Sequence, residues 1–136
     1  MGIDLRSYSD RLPAGLIFKK SKEKILQQIE RAAADWAKKM ALGPLFRTRR
    51  ANTSLLEVEL IPLADPLVID VGGDRLAASC RTSNAGPGFH AAVIDLLDHL
   101  ETDLKIQWIW KSSTGEPLDE TGYALHRPRP GPRRRW

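Results

Sequence analysis

The fold is decided by the stretch Arg81-Thr-Ser-Asn-Ala-Gly-Pro-Gly-Phe-His-Ala-Ala-Val-Ile-Asp-Leu-Leu-Asp-His-Leu100, in which a polar, glycine-rich turn leads into an amphipathic helix. Its apolar residues recur at helical spacing and form one stripe, while charged residues fall on the opposite side. Pro87 suits the first helical position, because its missing N–H has no partner there and its φ is already helical. The pattern predicts a helix over 87–103 with Gly86 as its N-cap. The stripe consists of Phe89, Val93, Leu96, Leu97, Leu100 and Leu104.

The same turn is a candidate anion-binding site, because unpaired backbone N–H groups and the positive end of the helix dipole coincide at a helix start. The competing interpretation, which we favour, is a capped strand-to-helix corner with glycines for close packing. The turn does not match a dinucleotide fingerprint, since Ala91 stands where a third glycine belongs, and it lacks the Gly-Lys-Ser/Thr of a Walker A loop. An anion site here would use Thr82, Ser83, Asn84, Gly86, Gly88 and His90.

Four further segments predict strands. Residues 54–61 alternate between apolar side chains and glutamates, which is typical of a half-buried strand. Residues 67–71 and 74–82 flank Gly72-Gly73 and predict a hairpin, because a glycine pair permits the positive φ values of a tight turn. In residues 105–111, Ile106, Trp108 and Trp110 alternate with other side chains and predict a last strand.

A first helix is predicted over 21–41, with Ser21 as a suitable N-cap and Gly43-Pro44 as its end. Residues 1–15 show no sustained period and predict an extended or loosely packed lead-in. The segment that carries Arg47, Arg49 and Arg50 is either a loop or the beginning of a strand. The apolar stripe of this helix consists of Ile25, Ile29, Ala33, Trp36, Ala37 and Met40.

Together these elements predict one α+β domain over residues 1–126, a two-layer sandwich in which an antiparallel sheet of about four strands is covered by two helices. The last segment, 127–136, contains five arginines and three prolines, cannot bury a core and is expected to be a flexible tail.

Composition bounds the function classes. The chain has 136 residues, of which 42% are hydrophobic and 28% charged, as in ordinary globular domains. No apolar run approaches the ~20 residues of a membrane-spanning helix, and the N-terminus lacks a secretion signal. We therefore expect a cytoplasmic protein without membrane association. The single cysteine, Cys80, excludes an internal disulfide and a multi-cysteine zinc site.

The net charge of +4 is unevenly distributed along the chain. Residues 1–52 carry +7, residues 53–126 carry −8, and the tail adds +5. The basic and acidic parts can pair inside the fold, which is the interpretation we favour, or meet a partner of opposite sign.

An enzymatic alternative would use Cys80 as a nucleophile, His90 as its base and Asp95 or Asp98 as the orienting acid. Against it, Cys80 alternates in phase with apolar neighbours, which predicts an inert buried thiol. No two of the three histidines have the spacing that places metal ligands on one helix face. We expect no metal and no cofactor, and we favour a non-enzymatic protein.

The function that we favour is a protein-interaction module, such as an adaptor or the regulatory subunit of a complex. Trp110 near a strand end offers an aromatic anchor, and Arg47, Arg49 and Arg50 offer a basic rim. The alternative is a nucleic-acid-binding accessory protein that uses the basic N-terminal half and the arginine tail. No helix-turn-helix, zinc finger or aromatic RNA-binding strand supports that alternative.

Overall fold

In a computed structural model, which describes residues 5–12, 22–72, 75–82 and 87–110, the chain forms one six-stranded sheet and two helices. The elements in order are β1 (Leu5–Ser9), α1 (Lys22–Lys39), β2 (Arg47–Asn52), β3 (Leu55–Glu59), β4 (Leu67–Val71), β5 (Leu76–Cys80), α2 (Pro87–Leu104) and β6 (Trp108–Ile109). The strand order is β2-β3-β4-β5-β1-β6, and each neighbouring pair is antiparallel. The predicted α+β class is confirmed, but the sheet has six strands rather than about four.

The two strands beyond the four predicted, β1 and β2, lack the apolar alternation of their neighbours, and for β2 the strand alternative is the one observed. On β1 the buried face carries Ser7 and Ser9 after Leu5, so the pattern of hydrophobic residues is interrupted. The hydroxyl of Ser9 accepts a hydrogen bond from the N–H of Leu76 at 2.8 Å, and that of Ser7 donates to the carbonyl of Ile109 at 2.9 Å. Strand β2 is an edge strand with the sequence RTRRAN, whose side chains are mostly exposed. Strand β1 is specified by β5 and β6, which are far away in the sequence, whereas β2 pairs with β3, the next strand along the chain.

Both helices pack on the same face of the sheet. The register places Arg50 opposite Leu56 on this face, and Arg50 contacts α1 through Glu30. At the other edge, the indole N–H of Trp108 donates to the carbonyl of Leu97 on α2 at 2.7 Å. The core therefore lies between one face of the sheet and the two helices. No described helix or strand covers the opposite face.

The apolar stripe of α2 is buried as predicted, from Phe89 at 7% exposed to Val93 and Leu100 at 0%. The helix begins at Pro87, which confirms the role assigned to that residue. In α1 the predicted stripe is also buried up to Ala37, whereas Met40 lies beyond the helix and is 48% exposed.

Helix α1 ends at Lys39, before the Gly43-Pro44 pair that was expected to end it. Ala41 adopts a left-handed backbone with φ of 61°. The N–H of Leu42 donates to the carbonyl of Ala37 at 2.8 Å, which is the long hydrogen bond of a Schellman motif. The chain thus closes the helix with an alanine where glycine is usual.

Some predictions fall outside the described residues: the cap at Ser21, the cap at Gly86, and the tail 127–136. The hairpin pairing of β4 with β5 is confirmed, and the N–H of Gly72 donates to the carbonyl of Arg75 at 2.9 Å, although Gly73 and Asp74 lie outside. In the part of the chain that the structure describes, neither helix combines the length and apolar character needed to cross a bilayer.

Candidate functional site

The turn before α2 contains a buried hydroxyl–imidazole pair. Thr82 Oγ1 and His90 Nδ1 share a hydrogen bond, and the two residues are 2% and 6% exposed. Gly88 is exposed, with open space where a side chain would project. Ser83, Asn84 and Gly86 lie outside the described residues. The anion site at this turn stays a prediction, and the Thr82–His90 bond fits the interpretation of a packed strand-to-helix corner.

Cys80 and Asp95, two residues of the enzymatic alternative, make contacts within the fold. Cys80 is buried, and its Sγ lies 3.7 Å from the carbonyl oxygen of Asp65 and 3.8 Å from that of Arg81. Asp95 accepts a hydrogen bond from Trp36. Within residues 5–12, 22–72, 75–82 and 87–110, no group of three His, Cys, Asp or Glu side chains is arranged to hold a metal ion.

A more extensive candidate site is the sheet face that points away from the helices, which we name the open face. Because directly opposed residues of antiparallel strands point to the same side, the register defines two rows across it. One row consists of Arg49, Glu57, Val68, Ser79 and Arg6. The next consists of Leu55, Asp70, Ala77, Tyr8 and Ile109. None of these ten residues is buried, and no described helix or strand covers them.

The three arginines of the predicted basic rim do not share a face. Arg47 and Arg49 point to the open face, and Arg49 donates to Glu57 at 2.6 Å. Arg50 points to the helices and donates to Glu30 at 2.9 Å and to Glu23 at 2.8 Å. The hydrogen bond to Glu57 raises the pKa of Arg49, and that to Glu30 raises the pKa of Arg50. Arg50 therefore joins β2 to α1, whereas Arg47 and Arg49 remain at the surface.

Two shallow pockets lie on the open face, and Pro66 borders both. The larger, about 290 Å³, is lined by Pro66, Val68 and Ser79 together with Asp65, Cys80 and Arg81. The smaller, about 230 Å³, lies between β2 and β3 and contains Arg47 and Glu59. Both pockets therefore lie at the end of the open face that adjoins the β3–β4 loop.

The β3–β4 loop, residues 60–66, presents an exposed leucine. Leu63 is fully exposed and has a left-handed backbone with φ of 72°. The chain direction places this loop at the same end of the sheet as the end of α1 and the start of β2, where Met40 and Leu45 are also exposed. Three large apolar side chains thus lie in water at one end of the sheet.

Trp110 is 5% exposed, so the expectation of an exposed anchor at this position is wrong. Because side chains alternate along an extended chain, Trp110 points to the same side as Trp108, which is in the core. Trp110 is therefore buried although it lies near the end of a strand. A role for Trp110 in partner binding stays a prediction. The open face was missed from the sequence because two of its strands carry no hydrophobic alternation that would have revealed them.

Comparison of the chain with known protein families, with curated proteins and with solved structures finds no significant match in any of the three.

Proposed function

We propose that this protein is a non-enzymatic interaction module, an adaptor or regulatory subunit, that binds another polypeptide at its open face and the adjoining β3–β4 loop. The observation that carries the proposal is Leu63, a fully exposed leucine held in a left-handed backbone conformation. That conformation costs an L-residue about 1–2 kcal/mol relative to a right-handed one. A fully exposed side chain makes no packing contact that offsets this cost in the isolated fold.

Strained residues at a surface tip are typical of ligand clamps and contact loops, where the strain fixes a side chain in a required position. An aliphatic anchor beside a charged sheet face is suited to a protein surface, since interfaces combine an apolar centre with a polar rim. The exposed Met40 and Leu45 at the same end of the sheet extend the apolar surface. These features favour a polypeptide partner over a nucleic acid, because exposed aliphatic side chains would contribute little binding energy against a phosphate backbone.

The substitution Leu63→Gly removes both the backbone strain and the exposed side chain, and the two losses have opposite expected effects on stability and on partner binding. Glycine adopts the left-handed conformation without steric cost, although it adds entropy to the unfolded chain. We expect the free energy of unfolding to stay unchanged or rise by up to about 1 kcal/mol, while capture of the partner becomes weaker. Leu63→Asn, which also tolerates this conformation, provides a polar control that retains a side chain.

Site-specific photocrosslinking tests the location. Benzoylphenylalanine is introduced in place of Ser79 on the open face and, as a control, in place of Thr102, which is exposed on the helix layer. In extract of the source cell, we expect the open-face probe to crosslink to a second polypeptide that the Thr102 probe does not reach. A crosslink only to nucleic acid, only within the chain itself, or equally from both positions would contradict the proposal.

A further inference from the structure

The open face is divided into a half of mixed charge, the mixed half, and a half in which arginines predominate. Asp10 lies at the edge of the second half, just after β1, and its carboxylate is held by Arg11 and by the N–H of Gln107. On β3 and β4 the open face carries Glu57, Glu59 and Asp70 beside Arg47 and Arg49. The other half, on β1 and β5, carries arginines and small or aromatic side chains but no carboxylate between Arg75 and Arg81 or within β1. We name it the cationic half, and it consists of Arg6, Tyr8, Arg75, Ala77, Ser79 and Arg81.

The arginines of the cationic half are available for a partner. Arg6, Arg75 and Arg81 are all exposed, and within the described residues none of them forms an ion pair. Arg75 instead lies over the ring of Tyr8, with its Cζ 4.7 Å from the ring centroid. This cation–π contact holds one guanidinium against the open face. A planar guanidinium presents its N–H groups as a fork that matches a carboxylate.

We propose that the partner segment is an extended, acidic stretch of polypeptide that lies along β5 and β1 over the cationic half, an inference that rests on the proposed function. Along β5, open-face positions recur at every second residue, so Arg75 and Arg81 lie about 20 Å apart. An extended segment repeats its side chains at the same interval. Carboxylates at alternate positions can therefore meet Arg75, Arg6 and Arg81 in turn.

The centre of the cationic half suits a polypeptide. Ala77 and Ser79 are small and leave a shallow floor, and Ile109, directly opposite Tyr8, is 36% exposed. Tyr8 is covered by Arg75, which leaves this ring face unavailable for stacking on a base. The carboxylates of the mixed half would repel a polyanion longer than the cationic half. A short acidic segment with aliphatic residues facing Ile109 meets none of these obstacles.

Fluorescence anisotropy on the full chain tests this partner chemistry. The probe is a fluorescein-labelled peptide of alternating Glu and Val, compared with the same peptide with Gln in place of Glu and with oligothymidylate of equal length. We expect the Glu-Val peptide to bind more tightly than both, and its affinity to fall as added salt shortens the Debye length from ~10 Å at 0.1 M. Tighter binding of oligothymidylate, or equal binding of the Gln peptide, would overturn the inference.

Two variants with the same change of charge locate the site. Arg6→Gln/Arg75→Gln/Arg81→Gln removes the cationic half, and Arg31→Gln/Lys38→Gln/Lys39→Gln removes exposed charges from α1 on the other layer. We expect about a tenfold loss of affinity from the first and little change from the second. Equal losses would show attraction by net charge alone and overturn the inference. The single variants Arg6→Gln and Arg81→Gln serve if the triple variant does not fold.

The peptide-binding and crosslinking experiments distinguish failure of the acidic-segment proposal from failure of the interaction-module proposal. If the Glu-Val peptide does not bind while the Ser79 probe still crosslinks to a polypeptide, the acidic chemistry is wrong and the interaction module stands. If neither is observed, both proposals are wrong.

Discussion

The indole N–H of Trp36 donates a hydrogen bond to Oδ2 of Asp95 at 2.8 Å, and this contact joins the two helices across 59 residues of sequence. Trp36 is 2% exposed, whereas Asp95 lies at the surface. The exposed carboxylate thus satisfies a donor that the core would otherwise leave without an acceptor. The acid serves the packing of the helix pair.

Asp95→Ala is therefore expected to lower the free energy of unfolding by about 1–2 kcal/mol, because a buried N–H loses a charged acceptor. Asp95→Asn keeps a carbonyl acceptor and should cost less. Asp103→Ala removes an exposed acid from the last turn of the same helix and should cost nothing, since an acid there opposes the helix dipole. Chemical denaturation followed by tryptophan fluorescence measures all three; equal effects of the Asp95→Ala and Asp103→Ala substitutions would exclude the stabilising role of the contact.

The parts of the fold that sequence reasoning predicted are those specified locally. The stripe from Phe89 to Leu104 has helical spacing, and the pairing of β4 with β5 follows from a glycine turn between two apolar runs. Strand β1 was missed because Ser7 and Ser9 take core positions, where their hydroxyls form hydrogen bonds with Ile109 and Leu76, far along the chain. No local pattern contains that information.

The same distinction holds for the candidate site. The arginines of β2 were selected from the sequence as one group, yet Arg50 points to α1 while Arg47 and Arg49 point to the open face. The cationic half combines Arg6 with Arg75 and Arg81 from a distant strand, and only the register brings them together. Alternation predicts which residues share a face of one strand, but it does not predict which strands are neighbours.

Ser9 provides a test of the hydrogen bonds that replace apolar packing in β1. Its hydroxyl accepts from the N–H of Leu76 at 2.8 Å and donates to the carbonyl of Arg11 at 2.7 Å. Ser9→Ala leaves a buried N–H unsatisfied and should lower the free energy of unfolding by about 1–3 kcal/mol. Ser79→Ala, on the open face, is the matched control and should change it by less than about 0.5 kcal/mol. Thermal or urea unfolding compares them, and similar losses would argue against a special role for Ser9.

The structure of the end of α1 predicts that an alanine-to-glycine substitution has opposite effects on the free energy of unfolding at positions 41 and 34. Ala41 has a φ of 61° in the Schellman motif, where an L-residue is strained and glycine is not. Ala41→Gly should therefore raise the free energy of unfolding by about 0.5–1 kcal/mol. Ala34→Gly, at an exposed position inside the same helix, should lower it by about 1 kcal/mol. Urea denaturation gives both values, and a loss of stability from both substitutions would contradict the left-handed cap.

Asp10 predicts how acid weakens the contact between the end of β1 and the start of β6. Burial alone would raise the pKa of its carboxyl. This effect is outweighed by the hydrogen bond from Arg11, by the hydrogen bond from the N–H of Gln107 and by the positive charge of Arg11. The pKa of Asp10 is therefore lower than its usual value of 3.8. One carboxylate oxygen accepts from the N–H of Gln107 at 2.9 Å and the other from the guanidinium of Arg11 at 3.0 Å. These donors favour the charged form.

A carboxyl whose pKa is lower in the folded chain than in the unfolded chain stabilises the fold above the unfolded value of about 3.9. This contribution is lost as the pH falls through the lower folded value. The difference in unfolding free energy between the wild-type chain and Asp10→Asn should therefore be largest above about pH 5 and shrink as the pH approaches 2. Arg11→Gln removes one donor and should move the folded pKa of Asp10, followed by NMR of its carboxyl carbon, back toward 3.8. A difference between wild type and Asp10→Asn that stays constant over this pH range would show that these donors do not hold the carboxylate.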